Sequence, residues 1–208
     1  MTEFFGGEIP KQKSREGFYK ISWVTSKTTR EATLKDVIRV DSIKGTITHL
    51  QIRNDNKVDS SVASLSTLAP IFTSTKSKTS ESTFIFGANR ISYIIRNAGV
   101  AAETGEDKVS ENYFDPFFGE YLIGHLPLKP GYKASLPFYT AKKGVTFWEI
   151  LDVSLDALPS PDGKLTLLTM LKINVGGVSG TIWVDLSARE VIKVVYPIPD
   201  GVFIKHKI

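Results

Sequence analysis

No cysteine occurs among the 208 residues, which excludes disulfides, thiolate metal sites and cysteine nucleophiles together. Histidine is scarce as well. His49, His125 and His206 lie far apart with neither His-x-His nor His-x-x-x-His spacing, whereas a zinc site needs several converging ligands; no metal and no cofactor are expected. Long apolar runs are missing: no stretch approaches the roughly 18 residues of a membrane-spanning helix, so no transmembrane segment is expected. Residues 1–16, with Gly6-Gly7, Pro10 and several charges, lack the apolar centre of a signal peptide and read as a flexible N-terminal segment before a single domain at 17–208. Catalytic signatures are missing too. There is no Gly-x-Ser-x-Gly elbow, and Gly176-Gly177-Val178-Ser179-Gly180 lacks the Lys-Ser/Thr pair and the helix of a phosphate loop, so a hairpin turn is expected there.

The formal charge is +4 with a pI of about 9.1, but the basic residues are scattered and often sit beside acids, as at Lys35-Asp36 and at Arg39 near Asp41. Nucleic-acid binding asks for a concentrated basic stripe with stacking aromatics, so no nucleic-acid partner is expected. Abundance lies in apolar and aromatic residues: 41% of the chain is hydrophobic, with twelve Phe, seven Tyr and three Trp. A chain of this length buries about 70% of the surface its unfolded form exposes, and monomers rarely leave large apolar patches in water. Most of these rings therefore belong to a core or line a cavity.

Strand-like runs dominate from Gly17 onward. Residues 18–26, 33–40 and 46–53 are rich in β-formers and read as an antiparallel meander with a turn at Ile43-Lys44-Gly45. The Ser/Thr-rich stretch 59–83 is interrupted by Val62, Leu65, Leu68, Ile71 and Phe72, so 73–79 is expected as an exposed or edge strand rather than disorder. A hairpin is expected at 83–86 and 91–96 around Gly87-Ala88-Asn89, with Gly and Asn supplying positive φ. Residues 97–112, with two glycines and four acids, read as a long exposed loop. Six further strands are expected at 134–139, 146–154, 164–174, 181–186, 191–195 and 202–207. Their turns would lie at Lys142-Lys143-Gly144, Pro161-Asp162-Gly163, Gly176-Gly177, Ser187-Ala188-Arg189 and Pro199-Asp200-Gly201. About ten antiparallel strands cannot stay flat, because twist accumulates. The expected fold is mainly all-β, a single antiparallel and strongly curved half-barrel wrapping one short helix.

That helix opens at Asp115-Pro116. Asp115 can cap the free N–H groups, Pro116 suits the first helical position, and Gly124 can end the helix. Phe118, Tyr121 and Leu122 then share one face. Pro127 and Pro130 force an extended corner after it, and Pro130-Gly131 suits the centre of a type II turn.

Thr67-Leu68-Ala69-Pro70, Asp115, Leu126-Pro127-Leu128, Pro130-Gly131-Tyr132, and Trp183-Val184-Asp185 followed by Val191-Ile192-Lys193 carry a resemblance that runs from about Gly17 to the end. On these residues the chain resembles a family of uncharacterised bacterial exported, periplasmic proteins related in fold to the lipoprotein-sorting chaperones. The resemblance implies an antiparallel half-barrel closed on its concave side by helix, a place in the periplasm or cell envelope, a hydrophobic cavity and no known enzymatic activity.

The concave surface is expected to carry Trp23, Phe86, Tyr93, Trp148 and Trp183, faced by Phe118, Tyr121 and Leu122 from the helix. Phe147 and Trp148 are adjacent and point to opposite faces, so only one lines the interior. These rings make either a plain packed core or the wall of a cavity for one small apolar ligand. Asp152 and Asp156 would be about 13 Å apart on an extended strand, beyond the roughly 5 to 9 Å of a glycosidase pair, and Asp185 is expected to cap or pair within the turn from Asp185 to Arg189. The expected function is non-enzymatic, extracytoplasmic binding of a lipid or acyl chain in the half-barrel. The alternative is a cell-envelope structural or protein-interaction module with a fully packed core. An apolar small molecule and an envelope protein are the respective candidate partners.

Overall fold

The computed structural model describes residues 2–5, 9, 11–109, 112–141, 143–159 and 163–208. The turns expected at Lys142-Lys143-Gly144 and Pro161-Asp162-Gly163, and Gly6-Gly7 and Pro10 of the N-terminal segment, lie wholly or partly outside these residues. The first half of the chain supplies strands β1 (Arg15–Thr25), β2 (Thr29–Asp41), β3 (Thr46–Arg53), β4 (Val58–Ser64), β5 (Pro70–Lys76), β6 (Ser80–Phe86), β7 (Arg90–Asn97) and β8 (Glu103–Lys108). Helix α1 (Gly119–His125) follows, and then β9 (Ala134–Thr140), β10 (Gly144–Pro159), β11 (Leu165–Val175), β12 (Val178–Asp185), β13 (Glu190–Ile198) and β14 (Gly201–Lys207).

Among the described residues these fourteen strands form one antiparallel sheet in the order β8-β7-β6-β5-β4-β3-β2-β1-β14-β13-β12-β11-β10-β9. The chain starts in the middle, walks by hairpins to one edge, crosses over through α1 to the other edge, and walks back until β14 pairs with β1. The sheet is strongly curved but not closed by backbone pairing, since β8 and β9 remain its ends. Irregular register at Val62/Ala63, Ile150/Asp152 and Trp183/Val184 adds local twist, as bulges do.

Strand alternation sends Ile38, Ile47, Leu171, Ile182 and Val194 to the concave face, where they join Phe114, Phe118, Leu122 and Ile123 in the main core. Phe5 belongs to the same core, and Phe4 packs edge-on against Phe114 with centroids 5.9 Å apart. The helix begins as expected: Asp115 is extended (φ −79°, ψ 129°) and accepts from the Phe117 N–H at 3.0 Å, a 3₁₀ turn at Pro116–Phe118 follows, and α1 continues from it. Burying Phe118, Tyr121 and Leu122 stabilises the docked helix by roughly 1.5 to 3 kcal/mol each.

Two glycines allow the close docking. A Cβ on Gly119 would lie 2.3 Å from the Trp148 ring, and one on Gly124 would lie 2.5 Å from the Arg189 carbonyl oxygen. Gly124 therefore sits inside α1 as a contact surface and does not end the helix, which closes at Leu126. The Pro130-Gly131 corner forms as expected, with Gly131 at φ 80° and the Tyr132 N–H donating to the Lys129 carbonyl at 2.9 Å.

Four other expectations change. The strand count is fourteen instead of about ten, partly because β4 and β8 come from stretches that look like loop. β4 reads VDSSVAS and its inward face, Asp59, Ser61 and Ala63, is small and polar yet buried, so it carries no apolar signal. The stretch 97–112 contains β8, whose charged sequence suits an edge strand. Residues 73–79 contribute to β5, which is paired on both sides and is not an edge. The hairpin β6–β7 forms, but Gly87 and Asn89 keep negative φ.

Candidate functional site

The eight expected cavity residues separate into four places. Phe118, Tyr121 and Leu122 are buried in the main core, and Trp148 packs against it with its ring 4.5 Å from that of Phe138. Phe86 belongs to a second cluster with Ile91, Tyr113 and Tyr139, and Tyr93 lies beside it, its ring 5.9 Å from Phe84 and covering Gly105. Phe138 faces the main core, so its neighbour Tyr139 points out of the opposite face of β9; there it meets the concave sides of β6 and β7 and donates to Asp107 of β8. The two ends of the sheet thus meet through side chains, with the backbone of Phe114 hydrogen-bonded along the β9 edge and Phe86 packed against Tyr113 and Tyr139 at the seam. Trp23 forms a third cluster with Tyr19, Ile21, Leu34 and Phe203, its ring lying 5.3 Å from the Arg30 guanidinium and 5.5 Å from that of Arg53.

Trp183 departs from the expected concave set. Its neighbours Ile182 and Val184 are the ones that enter the core, so Trp183 projects from the outward face, donating from Nε1 to Asp156 at 2.8 Å under the Lys193 ammonium. A bulge beside it shifts the register, but the reason is the ordinary alternation of β12. Phe147 is half exposed on the outward side, leaving Trp148 as the inward member of that pair.

The sheet interior also holds a polar network. His49 lies between the Asp36 carboxylate (Nε2, 2.6 Å) and the Phe117 carbonyl (Nδ1, 2.7 Å), and Gln51 donates to the same Asp36 oxygen at 2.9 Å. Both ring nitrogens are thus engaged by oxygen atoms. Burial pushes the Asp36 carboxyl up, but the His49 charge and hydrogen bond, with Lys205 and Gln51, outweigh it and hold the group well below the usual carboxylate range. Alongside, Asp115 accepts from Ser61 and Thr73 as well as from Phe117, and burial pushes its carboxyl up against those hydrogen bonds. Ser, His and Asp are thus gathered, but Ser61 is bonded to Asp115 and both nitrogens of His49 are taken. The network has the form of a socket for the helix start.

Other polar candidates have local partners: Asp156 holds Trp183, and Asp185 accepts from the N–H groups of Ser187 and Ala188, capping its turn as expected. Among the described residues no group of three or more His, Asp or Glu side chains gathers as a metal site, and no helix is long and apolar enough to cross a membrane.

An open cavity of about 490 Å³ lies on the outward face. Strands β10 and β11 run past the end of β12, since Thr169↔Val184 is the last β11–β12 pair. Their extension overhangs β13 and β14. Leu158, Pro159 and Leu168 from the overhang face Ile192, Ile204 and the chain end at Ile208, with Lys193, His206 and Lys207 at the rim. Lys207 is paired with Glu190, and burial together with Lys193 and Lys20 holds His206 below its ordinary pKa, so Lys193 is the available cation at neutral pH. No arrangement of sequence intervals signals this groove, because it depends on how far two strands outrun a third.

The molecule is an open, curled β-sheet protein with a packed interior and an apolar cleft on its outer surface. Residues 16–205 match the family described as Protein of unknown function (DUF3108), and the chain belongs to that family. In structure it is similar to a β-barrel-like protein of domain of unknown function DUF1849 from Brucella abortus, with a TM-score of 0.47 and 9% identity over 94% of this chain and 95% of that one. No curated protein matches the chain.

Proposed function

We propose that this protein binds one apolar ligand, a lipid or acyl chain, without chemical conversion, and that the site is the outward groove. The observation that carries this reading is the apolar lining by Leu158, Leu168, Ile192, Ile204 and Ile208 at a volume of about 490 Å³, within the roughly 300 to 1,000 Å³ of small-molecule sites. Lys193 suits the anionic end of such a ligand. The space beneath the helix is a weaker candidate, because Gly119 and Gly124 seat α1 directly on Trp148 and Arg189. An extracytoplasmic setting and kinship with lipoprotein-sorting carriers belong to the same proposal, and their support is the residue resemblance described above.

The test is native mass spectrometry for a co-purified lipid, joined to titration with a fluorescent long-chain fatty acid. One equivalent should bind, and Ile204→Arg should weaken it at least about tenfold by placing a charge in the apolar wall. Equal binding by wild type and variant would refute the groove, and no uptake by wild type would refute the carrier reading.

One observation favours the alternative of a protein-interaction module at the cell envelope. On the other face of the overhang, Leu155, Leu165 and Leu167 are 60%, 73% and 66% exposed and share a side of the β10–β11 ladder, and exposed apolar clusters commonly mark contact surfaces.

A further inference from the structure

A second cavity, separate from the apolar groove, lies where the stretch before β1 meets the last turn of α1 and the β12–β13 turn. It is about 160 Å³ and is lined by Lys11, Lys13, Arg15, Tyr121, His125 and the turn at Ser187–Arg189. Two of its lining residues each carry a buried polar atom that lacks a hydrogen-bond partner: the hydroxyl of Tyr121, a residue only 2% exposed, and Nε of Arg15. Orphaned buried donors are uncommon in folded proteins and point to a missing partner.

The surroundings specify what that partner is. The Arg15 guanidinium sits 5.5 Å above the Tyr121 ring and donates from Nη1 to the Arg189 carbonyl at 2.9 Å. Lys11, Lys13 and Arg189 form no ion pair among the described residues. Glu190, the neighbouring acid, is already engaged by the Tyr19 hydroxyl and by Lys207. Four cationic side chains and a phenol therefore gather here without an anion among the described residues.

We propose that this pocket binds a single phosphate group, presented as a free phosphate or as the phosphomonoester of a head group. The volume fits a group of that size and falls below the roughly 300 Å³ at which whole small-molecule sites begin, so the remainder of any ester must project outward. His125 distinguishes among oxyanions. Its Nδ1 is committed to the Tyr121 carbonyl at 2.8 Å, and burial, with Arg15 and Arg189, lowers its pKa to about 4. The neutral ring then donates from Nδ1 and offers Nε2 as an acceptor. A monohydrogen phosphate or protonated phosphomonoester can donate a proton to Nε2 while its charged oxygens accept from Tyr121 and Arg15. Sulfate has no such proton and is the poorer ligand.

The test uses the full chain at neutral pH and low salt, titrated calorimetrically with inorganic phosphate and with sulfate, and then with phosphatidylcholine vesicles with and without phosphatidic acid. Wild type should bind one phosphate saturably and more tightly than sulfate. Tyr121→Phe, which keeps the ring and removes only the orphaned hydroxyl, should fold as well as wild type in phosphate-free buffer yet bind phosphate about ten- to a hundredfold more weakly. Phosphate should raise the melting temperature of wild type more than that of the variant. Clearly tighter binding to phosphatidic acid vesicles than to phosphate assigns the source to a lipid head group, and similar affinity assigns it to the free anion. Absence of saturable binding in both forms, or binding unchanged by Tyr121→Phe, would overturn the assignment.

Discussion

Replacing Asp115 by alanine probes the socket on which the helix stands. The carboxylate accepts from the Phe117 N–H at 3.0 Å and from the hydroxyls of Ser61 and Thr73, and Asp115, Ser61 and Thr73 are all buried. Loss of a helix cap costs about 0.5 to 2 kcal/mol. The two hydroxyls lie 3.2 Å apart and can still bond to each other, so one donor is orphaned, at about 1 to 3 kcal/mol. Part of this is offset because burial already disfavours the ionised carboxyl. A net loss of roughly 1 to 4 kcal/mol is expected, equivalent to a fall in melting temperature of about 2 to 16 °C for a domain of this size. Asp115→Asn keeps an oxygen for Phe117 and should lose less than half as much. Urea unfolding followed by tryptophan fluorescence measures both. An alanine variant within about 0.5 kcal/mol of wild type, or an asparagine variant as unstable as alanine, would show that Asp115 does not organise the helix start.

Two further predictions concern the corner and the helix end. Gly131→Val should lose about 1 to 3 kcal/mol through the positive φ alone, since nothing lies within 4 Å of an added Cβ there; Gly131→Asn should lose less, and equal unfolding midpoints for valine and glycine would contradict the type II turn. His125 should make stability fall on mild acidification. Its unfolded ring takes up a proton near pH 6.5, the ring in the folded protein only near 4, so between those values the unfolded state binds more protons. The stability present above pH 6.5 is lost as the pH falls through that window, by about 3 kcal/mol in all. The His125→Gln profile should be flatter there, and an NMR titration of His125 with a midpoint at 6.5 or above would refute the assignment.

The class of fold was legible in the chain because its signals are local. Strand alternation, glycine turns such as Gly176-Gly177 and the Asp115-Pro116 helix start depend only on neighbouring residues, and each forms where those residues place it. Asp185 caps its own turn for the same reason. The identity of each wall was not legible. Whether Trp183 faces the helix or the solvent follows from the phase of a whole strand within the sheet, which a window around one tryptophan does not contain. The partners of Asp115 are 54 and 42 residues away, and β4 hides its inward position because a buried face that serves a carboxylate is polar. The outward groove exists because β10 and β11 outrun β12. The phosphate pocket exists because the stretch Lys11 to Arg15, the end of α1 and the β12–β13 turn meet in space. Sequence alone set most of the elements and their curl, though not β4 and β8; tertiary structure decided which side chains share a cavity, because convergence is a property of distances between strands and not of spacing along them.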